Sequence, residues 1–236
     1  MPTPNNRAVV LWTGGKDCNL ALHEARKKGY EIISLITFAM GHARFRAHPI
    51  HVMKQQAVAL GIPHAIIPVS EPYEKSYEDA ISAIKTTYAI DTIVTGDIAE
   101  VHGTTNWITE RSKPSGIHVY LPLWHLEREQ ILLRLFSLNF SIIFSCVKQP
   151  WFTPDWLGRK LNEQVLAELK NMHHYNGLDI CGEQGEFHTL VLDGPDYTSR
   201  LSIDAFTSRH KDTIIHMEIE ELSLKEKDMA ITQKLS

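Results

Sequence analysis

The sequence predicts an α/β protein, a Rossmann-like parallel sheet with helices on both faces, followed by a smaller C-terminal α+β domain. Three observations carry this. Short β-branched apolar runs alternate with stretches of helical periodicity through the first half of the chain, the rhythm of βα units in a parallel sheet. The first run delivers the chain straight into a glycine turn and a helix. From Phe187 onward the pattern is strand-like, which marks a second sheet of another kind.

Taken in order, Arg7–Trp12 is a short apolar run that reads as a buried strand. Beyond the turn, Cys18, Ala21, Leu22 and Ala25 recur at helical spacing until Gly29. Glu31–Phe38 is a second strand. Pro49–Leu60 is a helix with Ile50, Met53, Ala57 and Leu60 on one face, stopped by Gly61-Ile62-Pro63. His64–Val69 is a third strand. Glu71-Pro72 opens a helix whose buried stripe is Tyr73, Tyr77, Ile81, Ile84 and Tyr88. Asp91–Thr95 is a fourth strand ending at Gly96, and Ile117–Leu121 a fifth.

The pattern changes near Pro122, so the expected division is 1–122 and 123–236. Glu127–Leu138 reads as a helix, Ser141–Val147 as a strand and Leu157–Met172 as a second amphipathic helix. Strands follow at Phe187–Leu192, Arg200–Ser208 and Thr213–Leu222, with Asp193-Gly194-Pro195-Asp196 as a turn. The charged tail after Leu224 is expected to fray.

Bulk composition narrows the function classes. The 236 residues suffice for one large or two small domains, and 43% hydrophobic with 22% charged residues excludes global disorder. A net charge of −4 argues against a non-specific nucleic-acid binder. Met1–Arg7 is polar and the apolar run Ala8–Trp12 is too short for a signal core or membrane span. Cys18, Cys146 and Cys181 are odd in number, widely spaced and lack a C-x-x-C pair. That pattern fits reduced thiols in the cytoplasm rather than a disulfide framework or zinc ribbon.

The first chemical signal is Thr13-Gly14-Gly15-Lys16-Asp17-Cys18. Adjacent glycines let the backbone approach an anion, and a helix start aims free N–H groups and a positive dipole end at it. Thr13 and Lys16 add donors, Lys16 as a mobile point charge. Asp17 would repel phosphate, so it is expected to cap the helix or help hold a magnesium ion. Neither the Walker A pattern nor G-x-G-x-x-G is present. The second signal is Cys181-Gly182-Glu183-Gln184-Gly185-Glu186-Phe187-His188-Thr189. In a strand Glu186 and His188 share a face, where a carboxylate and an imidazole can bind substrate or exchange protons.

The first stretch resembles the PP-loop signature S-G-G-x-D-S of the ATP pyrophosphatase (adenine-nucleotide α-hydrolase-like) superfamily, with Thr13 and Cys18 in place of the serines. The pair of stretches resembles the diphthine–ammonia ligase family, which carries an E-G-G-E-[FY]-E-T type stretch toward its C-terminus. Here Gln184 stands for a glycine and His188 for the second-glutamate position. Val94-Thr95-Gly96-Asp97-Ile98 and Leu121-Pro122-Leu123-Trp124 extend the likeness along nearly the whole chain.

The resemblance implies an ATP-dependent, AMP-forming amide ligase. In that reading Gly14, Gly15 and Lys16 hold pyrophosphate, Asp17 helps hold Mg2+, and Leu35–Phe38 and Gly96 flank adenine and ribose. Glu183, Glu186, His188 and Thr189 would bind or orient a carboxylate acceptor. No glutaminase segment is discerned, so ammonia would come free or from a partner. The acceptor stays open. Two other readings also stay open: a PP-loop tRNA-modifying enzyme, disfavoured by the missing C-x-x-C pair and basic domain, and a non-catalytic ATP-binding regulator. A homodimer through the C-terminal sheet edge is undecided by the residues.

Several other residues have ordinary structural explanations. His48 and His51 read as a surface pair for want of a third metal ligand, and His173-His174 as a solvated helix end. Arg44 and Arg46 lie in the loop after the second strand, where folding over a nucleotide and plain solvation are both open. Trp151, Phe152 and Trp156 suit an acceptor cleft or core packing. Cys146 reads as an inert core thiol, and Cys181 as partly exposed.

Overall fold

The computed structural model describes residues 6–41, 45–100 and 105–227. Five parallel strands form the first sheet in the order β3-β2-β1-β4-β5. They are β1 (Arg7–Leu11), β2 (Glu31–Met40), β3 (His64–Val69), β4 (Thr92–Val94) and β5 (His118–Tyr120). The chain leaves β1 toward β2 on one side and reaches β4 on the other, so the sheet's switch point lies at the carboxyl end of β1. In open α/β sheets ligands bind at that point. Ala8, Val9 and Val10 are fully buried because helices cover both faces of the sheet.

Helices α1 (Lys16–Lys27), α2 (Ile50–Leu60) and α3 (Tyr73–Tyr88) connect the strands in the expected sequence. A short helix, α4 (Trp107–Ser112), lies between β4 and β5, where the sequence reading had none. Asn106 caps it by accepting from the Thr109 amide at 2.9 Å. The expected stripe on α3 is narrower than predicted. Ile81 and Ile84 are buried, Tyr77 and Tyr88 are partly covered, and Tyr73 is exposed. Tyr77 instead packs on Phe38 and Trp107, at ring separations of 4.8 and 5.8 Å.

The second sheet is antiparallel, in the order β7-β6-β9-β8. It comprises β6 (Ser141–Lys148), β7 (Phe187–Asp193), β8 (Ser199–Lys211) and β9 (Ile214–Glu226), with helices α5 (Arg128–Ser137) and α6 (Glu163–Asn176). The hairpin strands run longer than expected. The helix expected over Leu157–Met172 is displaced to Glu163–Asn176. Gly158 has φ +78, and the chain from Gly158 to Leu161 hydrogen-bonds along β6 before Asn162 caps the helix on the Val165 amide. Leu157 and Leu161 still reach the core, but from extended backbone. Phe152 and Trp156 are core residues, stacked with Phe144 and Phe187, and Cys146 is buried as expected. Arg44 and the tail 228–236 lie outside the described residues. Among the described residues no helix is long and apolar enough to cross a membrane.

Candidate functional site

A cavity of about 360 Å³ opens at the carboxyl ends of β1, β2 and β4. Trp12, Thr13, Asp17 and Cys18 line it from the first turn, Ile36–Phe38 from β2, and Thr95–Asp97 after β4. Phe45, Tyr77, Trp107 and Ile108 form an aromatic and apolar wall, and Glu183 reaches it from the second sheet's side. A mixed wall of flat apolar surface and a few convergent polar groups suits a nucleotide-sized ligand. Thr13, Asp17, Cys18, Phe38, Gly96 and Glu183, all singled out by sequence, therefore meet around one space. Gly96 permits this closeness, since a Cβ there would lie 2.6 Å from the Asp17 carbonyl carbon and the Cys18 nitrogen.

The glycine turn is built with its carbonyls held by protein donors. The Gly14 carbonyl accepts from Gln56 Nε2 (2.9 Å) and the Val191 amide (3.1 Å). The Gly15 carbonyl accepts from Asn19 Nδ2 (2.8 Å) and the Cys18 thiol (3.2 Å). Tying the negative ends of these peptide dipoles to protein leaves the turn suited to an anion. Gly14 has φ +80, and its missing Cβ leaves room for Gln56. Burial pushes the Cys18 thiol's pKa up, so it stays protonated and donates inward. Asn19, Gln56 and Tyr197, whose hydroxyl donates to Asn19 Oδ1 at 2.8 Å, were not anticipated. Buried polar residues at helical core positions (Asn19, Gln56) were the available signal.

Lys16 departs from the expected mobile charge. Its side chain is buried, and Nζ donates to Asp17 Oδ2 (2.8 Å) and the Cys181 carbonyl (2.6 Å). Burial pulls its pKa down, but Asp17 and the neighbouring Cys181 and Glu183 outweigh this and keep it charged. Its amide donates to Thr189 Oγ1 at 3.2 Å. Both ends of Lys16 thus tie the turn to the second motif.

The second motif also differs from its expectation. Glu186 is buried, and its carboxylate accepts from the Asp179 amide (2.9 Å) and the Gln184 amide (3.0 Å), leaving no free oxygen directed at an acceptor. It organises the loop it belongs to. Cys181 is buried rather than partly exposed, its thiol donating to the Arg128 carbonyl at 3.4 Å, and burial pushes its pKa up to about 12. Gln184 fits the glycine position because its backbone is not left-handed, unlike Gly182 and Gly185. Glu183 lines the cavity mouth. Desolvation, with Asp17 nearby, pushes its carboxyl up to about 7. His188 packs edge-on against His48 at 5.3 Å, so the imagined surface pair His48/His51 is split: His48 turns inward and His51 is exposed. His173 caps the end of α6, its Nδ1 lying 2.7 Å from the Leu178 carbonyl.

Two cavity residues carry buried polar atoms without a protein partner, Trp12 Nε1 and Asp17 Oδ1. Asp17 and Asp97 supply hard oxygen donors of the kind magnesium takes from protein. Among the described residues no cluster of three or more His, Cys, Asp or Glu is arranged to hold a metal. Asp17 Oδ1, unpartnered in the cavity, would be the first protein ligand of a magnesium ion.

The chain resembles known proteins along most of its length. Residues 6–119 match the family described as Diphthamide synthase N-terminal domain, and residues 127–224 the one described as Diphthamide synthase C-terminal domain. Over 86 residues the chain is 33% identical to the Diphthine--ammonia ligase of Bos taurus, covering 35% of this chain and 31% of that protein. The Danio rerio protein of the same name is 33% identical over 95 residues, 40% of this chain and 35% of that one. The Homo sapiens protein is 31% identical over 86 residues, 35% of this chain and 31% of that one. The matched segment thus spans about a third of these curated relatives. A solved structure described as a predicted subunit of tRNA methyltransferase from Methanocaldococcus jannaschii gives a TM-score of 0.44 at 15% identity, covering 80% of this chain and 97% of that one. With one family's two domains matched in order along its length, the chain belongs to the diphthamide synthase family.

Proposed function

We propose that the protein is an ATP-dependent, AMP-forming amide ligase, in which 1–122 binds ATP and 123–236 presents the acceptor. The observation that carries this is the glycine turn with its carbonyls pinned to protein, beside an aromatic-walled cavity holding the unpartnered Asp17 Oδ1. In this reading an acceptor carboxylate oxygen attacks the α-phosphorus, the bond to the β-phosphate breaks, and pyrophosphate leaves with the electron pair. Ammonia then attacks the acyl carbon and AMP departs. The protein's contribution is positioning and charge stabilisation.

The backbone of Gly14 and Gly15 and the start of α1 receive the pyrophosphate oxygens. Lys16 acts from behind, as a fixed charge that also holds Asp17 in place. Phe38, Tyr77 and Trp107 offer flat surface for adenine, and Gly96 lets the chain pass close beneath the ribose. Asp17 would hold Mg2+, which would supply neutralisation of phosphate charge. Glu183, poised near neutrality at the mouth, is suited to bind the acceptor or take the proton that ammonia loses. Thr189 and Glu186 serve as positioning residues, the first on the turn and the second on the Glu183 loop. Three free, buried thiols suit a cytoplasmic protein.

The test is incubation with magnesium, α-labelled ATP, ammonium and cell extract, resolving AMP plus pyrophosphate from ADP plus phosphate. AMP that depends on extract and ammonium and is lost in Asp17→Ala is the expected result. ATP binding without AMP under every condition favours a regulator and overturns the ligase reading.

A further inference from the structure

The phosphate site has a second side. Lys16, the cation of the turn, is committed to Asp17 and the Cys181 carbonyl, so pyrophosphate needs other side-chain donors. A Cβ placed on Gly15 would lie 3.2 Å from His48 Cε1, which sets that ring against the turn. His188 packs edge-on against His48 at 5.3 Å. The two rings come from different layers. His48 immediately precedes Pro49 and α2, while His188 stands on β7. Their meeting is fixed from behind, because Ser145 Oγ on β6 donates to the Ala47 carbonyl at 2.7 Å.

A histidine that merely filled this space would be expected to have its buried nitrogen paired. His48 Nδ1 is buried and has no partner. Both rings are held neutral by burial, with Lys16 adding to the effect, so each offers one N–H without loading the turn with charge before the nucleotide arrives.

Building on the nucleotide reading above, we infer that His48 and His188 form a second wall of the phosphate site and donate hydrogen bonds to the pyrophosphate leaving group. Hydrogen bonds to a charged oxygen are about twice as strong as neutral ones. As the bond between the α- and β-phosphates breaks, negative charge grows on the pyrophosphate side, and donors fixed there favour departure over the ground state.

Calorimetric titration of the full chain, in magnesium, with inorganic pyrophosphate and separately with AMP tests this. His48→Ala and His188→Ala should each weaken pyrophosphate binding about tenfold, with AMP binding unchanged. His48→Gln, which keeps a donor, should recover part of the loss and serves in place of His48→Ala should that variant not fold. Unchanged pyrophosphate affinity in the variants overturns the inference and leaves the nucleotide reading standing. So does an equal loss for pyrophosphate and AMP, the mark of a packing role, or a wild-type chain that binds AMP but no pyrophosphate. A wild-type chain that binds neither ligand overturns both.

Discussion

The two motifs look alike in sequence, glycine-rich and charged, yet they do different work. From the first stretch Thr13, Asp17 and Cys18 line the cavity. The Gly14 and Gly15 carbonyls are tied to protein, and Asp17 keeps a free oxygen in the cavity. Cys181–Thr189 mostly supports that stretch. The Cys181 carbonyl holds Lys16, Thr189 holds the Lys16 amide, and Glu186 holds its own loop. Of its charged side chains Glu183 alone lines the cavity. A motif can therefore mark a cavity while few of its members line it. The lesson is one of support: a backbone anion site is only as rigid as the groups that hold its carbonyls and struts.

Lys16→Met removes the strut between the motifs. Losing one partner of a buried ion pair costs about 3–5 kcal/mol, and urea unfolding should register it together with loss of AMP formation. A stable variant lacking only activity would mean that Lys16 faces ligand after all. The second test sets Glu186→Ala against Glu183→Ala. The Asp179 and Gln184 amides lose a charged acceptor in the first, at about 1–3 kcal/mol each, whereas Glu183→Ala leaves no amide unpaired and relieves a desolvated carboxyl, so it should not lower stability. Activity should fall in both, but only Glu183→Ala should do so without a lower unfolding midpoint. The opposite pattern would exchange the two roles.

Smaller again is Gly96→Ala. Its new Cβ meets backbone of Asp17 and Cys18 that cannot swing aside, and overpacking of this kind costs about 1–3 kcal/mol. Gly185→Ala has open space but keeps φ +81, so only the backbone cost of about 1–2 kcal/mol applies. Of the two, Gly96→Ala should be the one that also abolishes nucleotide binding. The last effect builds up only across several pH units. Burial, then His188 and Lys16, lower the His48 pKa to about 3 from 6.5. Below about 6.5 the unfolded chain takes a proton that the folded chain refuses, so stability falls as pH drops from 6.5 toward 3. His48→Gln should flatten that part of the thermal-melting profile. An unchanged slope would detach His48 from the buried wall.

The parallel sheet was legible because βα units are local: an apolar run, a turn and an amphipathic helix write themselves in one stretch of chain. So was the glycine turn, which lies within six consecutive residues, Thr13–Cys18. The α/β class and the first five strands could be read from the residues, and the resemblance implied that Thr13, Asp17, Phe38 and Gly96 meet at the strand ends. Helix α6 was misplaced because Leu157 and Leu161 are apolar at helical spacing but lie in backbone hydrogen-bonded to β6. The inward turn of His48, the burial of Cys181 and Lys16, and the partners of Gln56 and Asn19 beyond the turn come from the tertiary structure. Lys16 meets Cys181, His48 meets His188, Gln56 meets Val191 and Asn19 meets Tyr197 across more than a hundred residues of chain. Spacing fixes which residues share a turn or a strand, while packing between the two sheets fixes which of them face a ligand and which are spent on one another.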